Sequence, residues 1–193
     1  MALLGIAGLA TLFFFAHRWI KESTSRDPVV VREATTRMAD IDVPPGLAPS
    51  ASFAPTVPFG KGRLLNLVIY TDPASHSDLM LMSMGALANP QNEEQAQRQM
   101  VQQQMDQALR QQGQAPNRDL HINQSHTKDI KIGDQTAKFT FSTGRSPKGN
   151  QNRILVQGTF QGKNGIVMLM FSGDADKYNE AALTKMLESI KVK

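Results

Sequence analysis

GIVMLMFSGDADKYNEAALTKMLESIK, residues 165–191, is the stretch on which the reading of the fold turns. Residues 166–171 are apolar at every position, so both faces of an extended chain would be apolar there. That is the pattern of a central strand covered on each side. From Asp174 onward the period changes. Leu183, Met186, Leu187 and Ile190 recur at helical spacing. Asp174 and Asp176 suit the positive N-terminal end of such a helix, and Lys191 and Lys193 its negative C-terminal end. A covered central strand feeding a helix predicts a mixed domain in which a sheet carries helices on both faces.

Working back from this stretch, GKNG at 162–165 is a turn, preceded by a strand with Ile154, Val156 and Phe160 on one face. Ahead of the loop TGRSPKGNQN, the run QTAKFTFS sets Ala137, Phe139 and Phe141 against Thr136, Lys138 and Thr140. Gly133-Asp134 is a two-residue hairpin signal that joins this run to TKDIKI. Further upstream, LLNLVIYT and DLMLMSM flank the turn-rich DPASHS and read as an antiparallel pair. Asn89-Pro90 opens QNEEQAQRQMVQQQMDQALRQQ, in which Val101, Met105 and Ala108 predict an amphipathic helix of about five turns. Asp27-Pro28 is a cap-plus-proline helix start, followed by the irregular, Pro-rich DVPPGLAPSASFAPTVPFGKG. The expectation is an α+β fold: a mostly antiparallel sheet of about six strands covered by helices, preceded by one N-terminal transmembrane helix. The predicted divisions are a membrane anchor at 1–22, a linker with a short helix at 23–42, and the α+β domain at 43–193.

The anchor is read from LLGIAGLATLFFFAHRWIKE, residues 3–22. No charge interrupts residues 2–16, and counting on to Ile20 reaches the roughly 17–25 residues that a helix needs to span a bilayer. Trp19 suits the interface and Arg18 can reach back to it. A cleaved signal would begin with a basic residue and end on small ones; this run does neither. Arg18, Lys21 and Arg26 follow the run, so the positive-inside rule favours a cytoplasmic body. Almost no tail precedes it, which keeps a periplasmic or extracellular body as the alternative.

Composition excludes several classes. The chain has 193 residues, no cysteine and a formal charge of +4. Disulfides, thiolate metal sites and cysteine nucleophiles are therefore absent. Half of the excess charge sits in the N-terminal segment and aromatics make up only 6% of residues, so the chain lacks the basic stripe and stacking platforms of a nucleic-acid binder.

No motif assembles a reaction. GTFQGKNG superficially resembles a phosphate loop, but its glycines are one residue too close and Asn164 stands where a hydroxyl must hold magnesium. His76 is surrounded by Asp72, Ser75, Ser77 and Asp78, the residue types of a hydrolase triad, without the nucleophile elbow such enzymes use. His121 and His126, with Asp119 and Asp129, match no metal signature. Glu93-Glu94 suit a helix start. Arg145, Lys148 and Arg153 form a basic loop that could touch anionic lipid or an acidic partner, and Asn123 lies in a formal glycosylation sequon. Met80, Met82 and Met84 alternate along one strand and Met168 and Met170 along another, as in a packed core or an adaptable binding surface.

DVPPG, the hairpin, the long helix, the meander and the closing GIVMLMFSGDADKYNEAALTKMLESIK together resemble the PsbP-like α/β/α sandwich. The whole chain is similar to bacterial proteins with one N-terminal anchor and such a body. Members of that fold are mostly binding or accessory modules. The resemblance implies no catalytic residue, no metal and no cofactor, and fold alone does not transmit a function. The expected function is a membrane-anchored, non-enzymatic module that binds a protein or envelope complex. A membrane-anchored hydrolase using His76, or His121 with His126, is the alternative.

Overall fold

The computed structural model describes residues 23–55, 65–84, 121–146 and 151–193. They form one eight-stranded, wholly antiparallel sheet and two helices on a single face of it. In chain order these are β1 (Thr24–Ser25), α1 (Pro28–Met38), β2 (Ala48–Phe53), β3 (Leu65–Asp72), β4 (Ser77–Met84), β5 (His121–Ile132), β6 (Gln135–Arg145), β7 (Asn152–Gly162), β8 (Gly165–Asp174) and α2 (Glu180–Glu188). Across the sheet the order is β1-β2-β3-β4-β8-β7-β6-β5. Two four-stranded meanders are thus joined edge to edge along β4 and β8.

Local chemistry explains most boundaries. Asp27 caps α1 by accepting from the Val29 N–H at 2.9 Å, with Pro28 in the first turn. At its other end the β7–β8 hairpin supplies donors for carbonyls left over by the helix. Lys163 N–H donates to Met38 O and the Asn164 amide to Arg37 O, both at 2.8 Å. Gly133 adopts φ +56 in the two-residue turn between Ile132 and Gln135, a conformation glycine takes without steric cost. Alternation then buries Ile130 and Ile132 of β5, Ala137, Phe139 and Phe141 of β6, Ile154, Val156 and Phe160 of β7, and Val167, Leu169 and Phe171 of β8. Val31, Ala34 and Met38 of α1 and Leu183, Met186 and Leu187 of α2 close over them in one cluster.

The expected α+β sheet of about six strands with helices on both faces is corrected on several counts. The described residues form eight strands. β2 comes from APSASF within the Pro-rich stretch, and β1 is a two-residue strip on its outer edge. β8 does lie inside the sheet, but its faces differ. Val167, Leu169 and Phe171 are fully buried under the helices, whereas Ile166, Met168 and Met170 are half-buried on the opposite face, where no described helix packs. The last helix starts six residues after Asp174, capped by Asn179, whose side chain accepts from Ala182 N–H at 2.9 Å. Lys191 lies beyond it and exchanges two 2.9 Å backbone hydrogen bonds with Asp40; Lys193 pairs with Asp134. The residues of the expected transmembrane helix (1–22), the 90–112 helix and the tip of the basic loop fall outside the described residues. Among those described, no helix is long and apolar enough to cross a membrane.

Gly158, in the middle of β7, is held to hydrogen by its neighbours. A Cβ there would run into the Phe139 ring and lie 2.7 Å from the Lys138 carbonyl oxygen. Gly158→Ala should lower the urea midpoint by the equivalent of about 1–3 kcal/mol, the usual cost of overpacking. Equal midpoints for the two proteins would contradict this packing.

Candidate functional site

Two places among the described residues are candidate sites. The first is the end of the sheet where the β3–β4 turn meets the β8–α2 turn. Asp72, with only 6% of its side chain exposed, is the hub. It accepts from Ser75 Oγ at 2.6 Å, from the Tyr178 hydroxyl at 3.0 Å and from Lys177 Nζ, while its Oδ1 accepts from the Ala74 N–H at 3.2 Å. Ser77 Oγ continues the network, contacting Ser75 Oγ at 3.0 Å and accepting from the Asp174 N–H at 3.1 Å. The Lys177 ammonium also sits 5.4 Å from the centre of the Tyr178 ring.

This cluster contains Asp72, Ser75 and Ser77, three of the four residues singled out around His76, but does not make a triad of them. His76 contributes its carbonyl, not its imidazole: that oxygen accepts from Arg153 Nη2 at 2.8 Å, and the residue adopts φ +49. The titration shifts follow from the same network. Hydrogen bonds from Lys177 and then Ser75 hold the Asp72 carboxyl well below the usual carboxylate range. The bond to Asp72 pushes Lys177 up, and burial followed by Asp72 pushes Tyr178 up. A general base must exchange a proton near working pH, and a nucleophile must be unmasked. Here each group is driven further into its resting charge. The arrangement pins two turns together.

The remaining candidates are also dispersed. His121 and His126 sit on β5 opposite Arg145 and Phe141, roughly 13 Å apart at about 3.3 Å per residue, too far to share a metal ion. His126 stacks on Phe141 with ring centres 5.7 Å apart, and its Nε2 meets Glu180 Oε1 at 3.2 Å. Among the described residues no three His, Asp or Glu side chains converge as metal ligands. Arg153 also bonds Ser172 Oγ at 3.1 Å, so it fastens the β3–β4 turn instead of extending from a basic loop. GTFQGKNG is the β7–β8 hairpin, with Lys163 Nζ 2.8 Å from Asp40. Asn123 lies on exposed β5, at its register shift. Asp119, Glu93, Glu94 and Lys148 lie outside the described residues.

The second place is a cleft of about 590 Å³ between α1, the segment following it, and β3. Its floor is the buried pair Thr35 and Tyr70, whose hydroxyl oxygens are 2.7 Å apart; Thr35 also donates to the Val31 carbonyl at 2.9 Å. Ile41, Val43 and Leu47 give apolar walls, and Arg32 and Asp42 stand exposed at the rim. Asp40 is already engaged by Lys163. The described residues define an antiparallel sheet with two helices on one face and a mixed polar and apolar recess beside the first helix. No protein-family model and no curated protein matches the chain.

Sequence reasoning did not find Lys177 and Tyr178 as partners of Asp72, or the cleft at all. The cleft joins residues 32–43 to residue 70 through tertiary packing, and no local pattern announces it.

The depressed Asp72 value fixes the sign of a pH effect. Its stabilisation is complete above the unfolded carboxylate value of about 3.9 and is lost as pH falls through the lower folded value. Asp72→Asn should therefore lower the urea midpoint at pH 7 and flatten the loss of stability between about pH 4 and pH 2. An unchanged acid limb would remove Asp72 from its place as hub.

Proposed function

We propose that this chain is a membrane-tethered, non-enzymatic binding module that engages a protein partner in the cleft beside α1. The observation that carries the reading is the contrast between the two polar places. The groups that could do chemistry are saturated by one another, whereas the cleft keeps an exposed Arg32 and Asp42 around an apolar wall. Concave recesses with a few oriented polar groups are the usual form of a binding site. Tethering is supported by the uncharged run at residues 2–16 and by the basic Arg18, Lys21 and Arg26 that follow it. Val29 and Val30, 60% and 36% exposed on α1, lie seven and eight residues beyond residue 22. The PsbP-like resemblance of the sequence pattern, with its accessory and binding modules, supports the same class.

A photo-reactive residue placed at Arg32 in the full chain, in native membranes, should capture one partner of reproducible mass. Arg32→Glu combined with Asp42→Lys should cut the yield of a probe at Thr36 roughly tenfold, as expected for rim charges that steer association, with no change in thermal midpoint. Recovery of the uncrosslinked chain alone would overturn the proposal. Replacing His76, His121 and His126 together with Ala should leave both adduct and cellular phenotype intact; their loss would favour the hydrolase alternative.

The basic residues after the apolar run favour a cytoplasmic body by the positive-inside rule. A reporter active in only one compartment, fused after Lys193, should report the cytoplasm. Activity on the far side would reverse the orientation and with it the set of accessible partners.

A further inference from the structure

The face of the sheet opposite α1 and α2 has an apolar half. Leu67 and Ile69 of β3, Met80 and Met82 of β4, and Met168 and Met170 of β8 point to it and are half-buried. Met80 stands directly opposite Met170, and Met82 opposite Met168. Leu155 of β7 lies on the same face, since Ile154 and Val156 face the helices. It is only 8% exposed, yet it does not belong to the core cluster under the helices.

Connectivity says what reaches this face. β4 and β5 run parallel, because three antiparallel neighbours separate them. The chain leaves β4 at Met84 and rejoins the sheet at His121, which lies at the opposite end of the strands and four positions across. By register His121 stands level with residue 75, so at about 3.3 Å per residue and about 4.8 Å between strands the path between these points is a diagonal of roughly 35 Å. Residues 85–120 must make it.

The hand of the connection selects the face. Ser146 N–H donates to the Gln151 carbonyl at 3.0 Å, one rung beyond the β6–β7 ladder. Counting every second rung from there, Leu155 and Gln157 direct their own N–H and C=O groups towards β6. For an L-residue in a strand running upward with its side chain towards the observer, those groups point right. Seen from the methionine face with β4 upward, β5 therefore lies to its right. A path from β4 to β5 across this face is right-handed, and one across the helix face would be left-handed. Parallel strands of one sheet are linked right-handedly in about 98% of cases. The helix face is in any case filled by α1 and α2.

We propose that the methionine face is the docking surface of the chain's own residues 85–120, and so is not offered to an external partner. Met100, Val101, Met105, Ala108 and Leu109 supply the apolar groups that meet it, and unbranched methionines on both sides adapt to an imperfect fit. The inference stands apart from the cleft, and its failure would leave the binding proposal untouched.

The natural chain has no cysteine, so a single introduced thiol reports unambiguously. In the full chain, Met170→Cys should react with a maleimide at least about tenfold slower than Gln161→Cys, because labelling must await local opening. Adding Val101→Asp and Met105→Asp should restore fast labelling, whereas Gln102→Asp and Gln104→Asp should not. Equal rates for Met170→Cys with and without the paired aspartates would overturn the proposal. Protection that disappears on dilution to nanomolar protein would assign the face to a second copy and overturn it too. Should the paired aspartates prevent folding, an engineered disulfide between Met170→Cys and one of Val101→Cys or Met105→Cys decides the matter: its formation supports docking, and failure at both positions refutes it.

Discussion

The antiparallel ladder between β4 and β8 is the constraint on which the molecule depends. Every other pairing in the sheet joins strands that follow one another in the chain. Among the described strands, only β4 and β8 pair across distant sequence, from Asp78 opposite Ser172 to Ser83 opposite Val167. Without it there are two four-stranded meanders, each with an apolar face and no common core. With it, Leu79 and Leu81 meet Leu169 and Phe171 under both helices, and one cluster runs from Val31 to Ile190. Long-range pairing of this kind must overcome loop closure before its contacts form. The ladder is therefore the costly step in assembly and the one that fixes the rest.

The polar network around Asp72 sits at the end of that ladder. Ser77 begins β4, Asp174 ends β8, and the hydrogen bond between them crosses the seam. Asp72 then adds Lys177 and Tyr178 from the turn leading into α2, and Tyr178 packs edge-on against Phe171 at 5.2 Å. Buried polar groups are tolerated when each finds partners, and such networks then specify one arrangement. The residues that look most reactive in the sequence are occupied in this way.

Much of the architecture was legible where a local rule had no competitor. Asp27-Pro28, Gly133-Asp134 and the alternation of Ala137, Phe139 and Phe141 each point to one structure. β2 was hidden because Pro49, Ser50 and Ser52 are poor strand formers; its ladder with β3 and its place under α1 override propensity. The first half of β5 was hidden because it is an edge strand with exposed residues on both faces, which leaves no alternation to read. The onset of α2 was misplaced because Asp174 and Asp176 look like helix-start residues, while Lys177 and Tyr178 are drawn aside to Asp72. The cleft had no sequence signature, since its floor pairs a helix threonine with a strand tyrosine 35 residues away.

The two rungs of β1 have a mechanical consequence. Thr24 and Ser25 pair only with Phe53 and Ser52, at the outermost edge of the sheet. Tension applied through the residues before Ser23 reaches these few rungs before any other part of the sheet. α1 follows immediately, capped by Asp27 and fastened at its far end by the β7–β8 hairpin. The edge strip acts as a weak fuse in series with a well-anchored helix. A modest pull would release four or five residues of slack and leave the ladder between β4 and β8 unloaded.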